Sequence, residues 1–196
     1  MQNNQPTSNE DDGRAPKSPR PDPVSSDESV TVIGGIDDIH DIDQDALTEL
    51  LAALDADLKL KDLGFRDDSW KNVEAVAARN RRKLDPRKSP DPSLVYALLV
   101  AVENGKYVGF LAGRPLGKTA VIAILGRLSS AKGRGVGPAL FEKFVDLARA
   151  SGATRLKAML DTDQEGRALR VKRSRLAGFT EVEDNSVYIF KDLASN

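Results

Sequence analysis

The 196-residue sequence contains no cysteine and a single histidine, His40. The missing cysteine excludes a disulfide framework and every thiolate-ligated metal site. With one histidine there is no raw material for a histidine-rich metal centre or a Ser-His-Asp triad. His40 itself sits in the acidic run Asp37-Asp38-Ile39-His40-Asp41 and reads as a solvated surface residue. Aromatic residues make up only 5 % of the chain, so its basic stretches have few stacking platforms beside them. No apolar run reaches the ~20 residues of a membrane-spanning helix. The N-terminus, MQNNQPTSNEDDGR, lacks the basic and apolar regions of a signal peptide. No metal and no membrane are therefore expected, and the cytoplasm is the default compartment.

What is present is unevenly distributed. Residues 1–45 carry 3 Lys+Arg against 11 Asp+Glu, leaving 26 against 19 for residues 46–196, a balance of +7. A basic folded part suits a binder of anionic ligands, cofactor or nucleic acid. Residues 1–28 are rich in Pro, Ser, Asn and Asp and have hardly an apolar residue. Such a segment cannot bury enough surface to offset its ordering entropy, so it reads as a disordered, acidic, solubilising tail. Residues 29–196 form one domain, consistent with the ~100–200 residues of a typical unit.

Within that domain, Ser29 to Ile33 reads as a first strand. Leu47, Leu50, Leu51, Leu54 and Leu58 then recur at helical spacing behind Asp43 or Asp45 as N-cap. A second helix is predicted over Ser69 to Leu84, with Trp70, Val73, Val76 and Ala77 inward, basic last turns, and Pro86 as its stop. Leu94 to Val102, Tyr107 to Ala112 and Thr119 to Leu125 read as an antiparallel meander, its first turn marked by Glu103-Asn104-Gly105. Leu140, Phe141, Phe144, Leu147 and Ala148 form one face of a further helix ending at Gly152. A strand from Arg155 to Leu160, a basic helix from Glu165 to Ala177 capped by Gly178, and strands Thr180–Val182 and Val187–Phe190 complete the chain. The order β-α-α-β-β-β-α-β-α-β-β specifies an α+β domain with a mixed sheet.

Two segments are glycine-rich. Ala112-Gly113-Arg114-Pro115-Leu116-Gly117-Lys118-Thr119 fits a relaxed phosphate-loop pattern, but such a loop must open a helix, and Lys118 leads instead into the strand-like T-A-V-I-A-I-L. Pro115 and Gly117 there suit a hairpin turn. Lys132-Gly133-Arg134-Gly135-Val136-Gly137 is in the better setting, with a strand upstream and a patterned helix directly after. Glycines let the backbone approach a ligand closely, N–H groups converge at the positive end of the helix, and Lys132 and Arg134 add charge. The dinucleotide fingerprint is absent, since position 140 is Leu140 rather than the third glycine.

K-G-R-G-V-G followed by an apolar helix resembles the R/Q-x-x-G-x-G/A acyl-CoA loop of the GNAT superfamily of N-acetyltransferases. R-L-K-A-M-L-D is similar to the family's fifth strand, E-G-R-A-L-R-V-K-R-S-R-L-A-G-F to its fourth helix with the closing G-F, and V-Y-I-F to its last strand. The likeness spans roughly residues 29–192 and is most specific between Leu128 and Phe179. It implies a GNAT-like acyl-CoA N-acyltransferase fold, a mixed central sheet flanked by helices, with acetyl-CoA as cosubstrate in a V-shaped gap between the fourth and fifth strands.

Carried onto this chain, the resemblance places Leu128 and Ser129 against pantetheine and Lys132, Gly133, Arg134, Gly135, Val136, Gly137 and Pro138 around the pyrophosphate. Arg167 stands where many members carry Asn and is a further candidate CoA contact within the cluster Arg167, Arg170, Lys172, Arg173, Arg175. Ser174 occupies the position, four before Gly178, of the family's usual acid tyrosine. The catalytic acid and base are thus unassigned, with Ser174, Tyr96, Asp161, Tyr107 and Asp163 as candidates. The implied reaction is acetyl transfer to a primary amine of a small molecule or protein; the alternative is an acyl-CoA-binding regulatory module without catalysis. Acceptor choice is implied to lie with the first two helices and their loop, Leu58 to Ser69. The chain is expected to act as a monomer or homodimer. Nucleic-acid binding through Arg79–Lys88 and the last basic helix ranks third, with salt-dependent affinity as its signature.

Overall fold

A computed structural model describes residues 30–58, 68–85, 87, 91, 94–159, 178–181 and 188–193. The expected tail and the expected helix over 165–177 lie outside the described residues.

Strand β1 (Thr31–Gly35) leads through a short 3₁₀ turn, on which His40 is exposed, into helix α1 (Gln44–Leu58). Of the two candidate caps, Asp43 starts α1. Its carboxylate accepts the Ala46 N–H at 2.8 Å and its carbonyl accepts that of Leu47 at 3.0 Å. Leu47, Leu50, Leu51 and Leu54 are buried, as their spacing requires. Helix α2 (Val73–Leu84) begins four residues later than the apolar pattern predicts. Asn72 is the reason: in extended conformation, it turns its side chain to accept the Ala75 N–H at 2.8 Å, and Trp70 falls in a separate 3₁₀ turn over Asp68–Lys71. Trp70, Val73, Val76 and Ala77 are all buried.

The meander follows as β2 (Ala97–Glu103), β3 (Lys106–Arg114) and β4 (Thr119–Arg127). Asn104 and Gly105, with φ of 52° and 72°, make the first hairpin turn. The segment around Gly117 (φ 96°) joins β3 to β4 as a hairpin, so the rival phosphate-loop pattern opens no helix. Helix α3 (Val136–Ala150) ends at Gly152, which takes φ 79° while its N–H donates to the Arg149 carbonyl. Strands β5 (Arg155–Met159), β6 (Thr180–Glu181) and β7 (Tyr188–Asp192) complete one sheet of order β1-β2-β3-β4-β5-β7-β6. Every pairing is antiparallel except β4 with β5, so the sheet is mixed.

Each face carries its own core. Val136, Leu140, Phe144 and Ala148 of α3 pack on Leu99, Leu111, Ala120 and Leu156. On the opposite face, α1, α2 and Trp70 cover Leu98, Val100, Phe110 and Ile124. β1 runs two residues further than its apolar pattern, through Gly34 and Gly35, because both pair with β2. A side chain at Gly34 would collide with the Leu98 carbonyl oxygen, so only glycine allows this approach.

Candidate active site: a bulged strand and a glycine loop

The site begins where β4 runs on past its described pairing with β5. Among the described residues β4 and β5 pair from Thr119↔Arg155 to Ile122↔Ala158, β5 is described to Met159, and β4 continues to Arg127. At the same point β4 slips against β3, from Gly113↔Ile122 to Ala112↔Ile124, leaving Ala123 as an extra residue. Such a bulge bends a strand and raises its twist, the local device by which one strand parts from its neighbour. It also exchanges the faces: Ala120 and Ile122 point to the α3 core, Ile124 to the α1–α2 core.

Backbone groups of β4 beyond the bulge divide between its two edges. The Leu128 N–H donates to the Val108 carbonyl at 2.9 Å, so it faces β3. Alternation along an extended strand then turns the N–H and C=O of Leu125 and Arg127 the other way, to the edge away from β3. Among the described residues Leu125 is one of few large apolar side chains left exposed, at 39 %. Leu125 and Arg127 lie within β4, whereas Leu128 and Ser129, which the resemblance places against pantetheine, follow its end. Leu128 is half-buried against the α1–α2 core, and Ser129 opens a 3₁₀ turn over Ser129–Ala131. The bulge that sets the alternation has no sequence signal in A-V-I-A-I-L.

Beyond the end of β4 the chain turns into α3. The Lys132 and Arg134 N–H groups donate back to the Ser129 and Ala131 carbonyls. Gly133 and Gly135 both take left-handed backbone, φ 86° and 81°, a conformation strained for other residues. Gly135 is the N-cap, and the first intrahelical bond runs from the Ala139 N–H to its carbonyl at 3.0 Å. The N–H groups of Val136 and Gly137 precede that bond and have no partner within the helix. Pro138 has no N–H to leave unpaired in this turn. A Cβ built on Gly133, Gly135 or Gly137 would meet nothing within 4 Å, so the loop presents bare backbone above the helix end. That surface fits a pyrophosphate, whose oxygens require close N–H donors and no intervening side chains.

The loop's charges divide. Lys132 is exposed. Arg134, between the two left-handed glycines, is also exposed, at 45 % of its side chain, but it is engaged: one guanidinium nitrogen lies 2.8 Å from the Glu103 carboxylate and another donates to the Ser130 carbonyl at 2.8 Å. Glu103, at the end of β2, is buried.

Of the candidate proton-transfer groups, Tyr107 accepts the Asp43 N–H on its hydroxyl at 2.9 Å, which ties it to the start of α1. Tyr96 is half-buried with the Arg79 guanidinium 5.5 Å above its ring. Ser174, Asp161, Asp163 and Arg167 lie outside the described residues, as do residues 59–67 of the expected acceptor loop. Among the described residues no helix is long and apolar enough to cross a membrane.

Comparison with known proteins bears on this geometry. The model of the acetyltransferase (GNAT) family matches residues 63–172. PaiA N-acetyltransferase from Thermoplasma acidophilum, solved in complex with coenzyme A, superposes with a TM-score of 0.57 at 12 % identity over 84 % of this chain and 99 % of its own. An acetyltransferase from Streptococcus agalactiae gives 0.54 at 19 % identity over 84 % and 98 %. A GNAT-family acetyltransferase from Staphylococcus aureus gives 0.54 at 11 % over 85 % and 100 %. Comparison with curated protein sequences gives no significant match.

Proposed function

The chain belongs to the acetyltransferase (GNAT) family, and on that premise we propose that it transfers the acetyl group of acetyl-CoA to a primary amine. The observation that carries this is a bulged β4 that runs on past its described pairing with β5 and leads into bare glycine backbone at the start of α3. The pyrophosphate would sit on the N–H groups of Gly135, Val136 and Gly137. The pantetheine amides would pair with the outward backbone of Leu125 and Arg127, the Leu125 side chain flanking the arm.

In the reaction the neutral amine attacks the thioester carbonyl carbon. A C–N bond forms, the C–S bond breaks, the amine loses a proton and the sulfur gains one. Negative charge gathers on the carbonyl oxygen in between, and a backbone N–H of β4 on the edge away from β3 is suited to stabilise it, with no particular side chain required. A free lysine amine has a pKa of ~10.4, so the acceptor must shed its proton to a base or in a desolvated pocket. The Tyr107 hydroxyl is engaged by Asp43, so its first role is to hold α1.

Two measurements test the proposal. Isothermal titration gives saturable acetyl-CoA binding by the folded protein, and its absence sinks the proposal outright. Release of free CoA thiol with a panel of primary amines then separates catalysis from binding alone. Binding without turnover on any amine would favour the non-catalytic acyl-CoA module that Ser174, in place of tyrosine, suggests.

A further inference from the structure

The buried carboxylate of Glu103 lies beneath a loop built for an anion, where simple electrostatics would not put it. Its side chain is 5 % exposed; one oxygen is 2.8 Å from the Arg134 guanidinium, and the other is buried with no hydrogen-bond partner among the described residues. A carboxylate so placed persists only if its charge is compensated, and Arg134 is the compensating group. The anchor is rigid. Glu103 is the last residue of β2, paired across the hairpin with Lys106 and followed at once by the Asn104-Gly105 turn. What it anchors is intrinsically loose, since Gly133 and Gly135, on either side of Arg134, have the most conformational freedom to lose. Arg134 also grips the Ser130 carbonyl, so one guanidinium ties the start of the loop, its middle and the β2–β3 hairpin together.

We propose that Glu103 is a positioning residue for the coenzyme site: through Arg134 it preorganises the glycine loop, so that binding does not have to order it. This rests on the acetyl-CoA reading of the loop. A preformed site lowers the ordering cost of binding, and the benefit appears in affinity rather than in the chemical step.

The proposal fixes a sign. Removing a negative charge beside an anion site should tighten binding if charge alone matters; if Glu103 acts by holding the loop, E103Q weakens it. Titration of CoA into E103Q is expected to show a Kd raised about tenfold, the scale of coupling between directly paired groups. R134Q should weaken binding similarly, and the E103Q/R134Q double variant no more than the worse single one. E103D, which keeps the charge on a shorter stem, should recover part of the affinity. Amide exchange across residues 133–137 of ligand-free E103Q should accelerate while exchange in β2 and β3 stays as in wild type. With a turned-over amine in hand, KM for acetyl-CoA should rise with kcat unchanged at saturation. Unchanged or tighter CoA binding by E103Q, or loop exchange equal to wild type, overturns the proposal. Wild-type protein that fails to bind CoA sinks the functional reading instead, and the exchange comparison still reports whether Glu103 holds the loop. If E103Q does not fold, E103D carries the same comparisons.

Discussion

On the α3 face, the helix is brought close by what the sheet lacks. A Cβ at Gly109 would stand 2.6 Å from Val136, and one at Gly113 2.7 Å from the Phe144 ring. On the α1–α2 face, polar side chains set the geometry. Buried Asn80 donates to the Ile36 and Tyr96 carbonyls and accepts the Tyr96 N–H, while Gln44 binds both the Lys71 carbonyl and the Val73 N–H. The first arrangement fixes a backbone surface, the glycine loop at the start of α3. The second fixes helices whose connecting segment is expected to choose the acceptor. Coenzyme binding should therefore depend on packing under α3 and be indifferent to the clasps on the other side.

The largest effect comes from exchanging one buried ring on each face. Phe144→Ala and Phe110→Ala should each cost about 3–5 kcal/mol of stability, read by chemical denaturation. Phe144 and Phe110 are both fully buried, and Phe110 also stacks on Trp70 at 5.5 Å. Only the first should also weaken CoA binding by the fraction still folded, because α3 carries the loop. Equal loss of affinity in both would mean that the faces are not separable.

Next in size is Asn80→Ala. Three hydrogen bonds disappear, each contributing about 0.5–1.5 kcal/mol, and the groups left behind are buried. Stability should fall by about 2–3 kcal/mol on that scale, with CoA affinity kept. Gly135→Ala should behave in the opposite way. Its added Cβ meets no atom, so the stability loss is the left-handed strain alone, about 1–2 kcal/mol. The same methyl group stands where the pyrophosphate is proposed to lie, and titration should show CoA affinity lowered by more than the strain accounts for.

The unequal legibility of the two faces has the same origin. K-G-R-G-V-G announces its conformation because positive φ at positions 133 and 135 calls for glycine, and the leucine spacing of α1 announces its buried stripe. Side-chain clasps leave no such trace. Nothing in the sequence joins Asn80 to Ile36, Tyr107 to Asp43 or Glu103 to Arg134, separations that only the folded sheet closes. The bulge at Ala123 is equally hidden, since nothing in A-V-I-A-I-L marks where β4 slips against β3. Strand ends drift for a related reason: Gly34 and Gly35 lie beyond the apolar pattern that ends at Ile33 but pair with β2.

The smallest effect decides the most about chemistry. Tyr107 accepts a backbone N–H from Asp43, the residue that caps α1, and the ring is half-buried against the α1–α2 core. Tyr107→Phe keeps the ring and removes only that acceptor, so stability should fall by about 0.5–1.5 kcal/mol, the worth of one ordinary hydrogen bond. CoA affinity should not move, because the bond lies on the face that does not carry the loop. A hydroxyl with a proton-transfer role would add a loss of about 10²–10⁴-fold in kcat, far beyond what a loosened helix start produces. Unchanged kcat would leave Tyr107 a tie for α1 and direct the search for the acid to other groups. A collapse in kcat with the fold intact would move the chemistry onto the face whose clasps are otherwise structural.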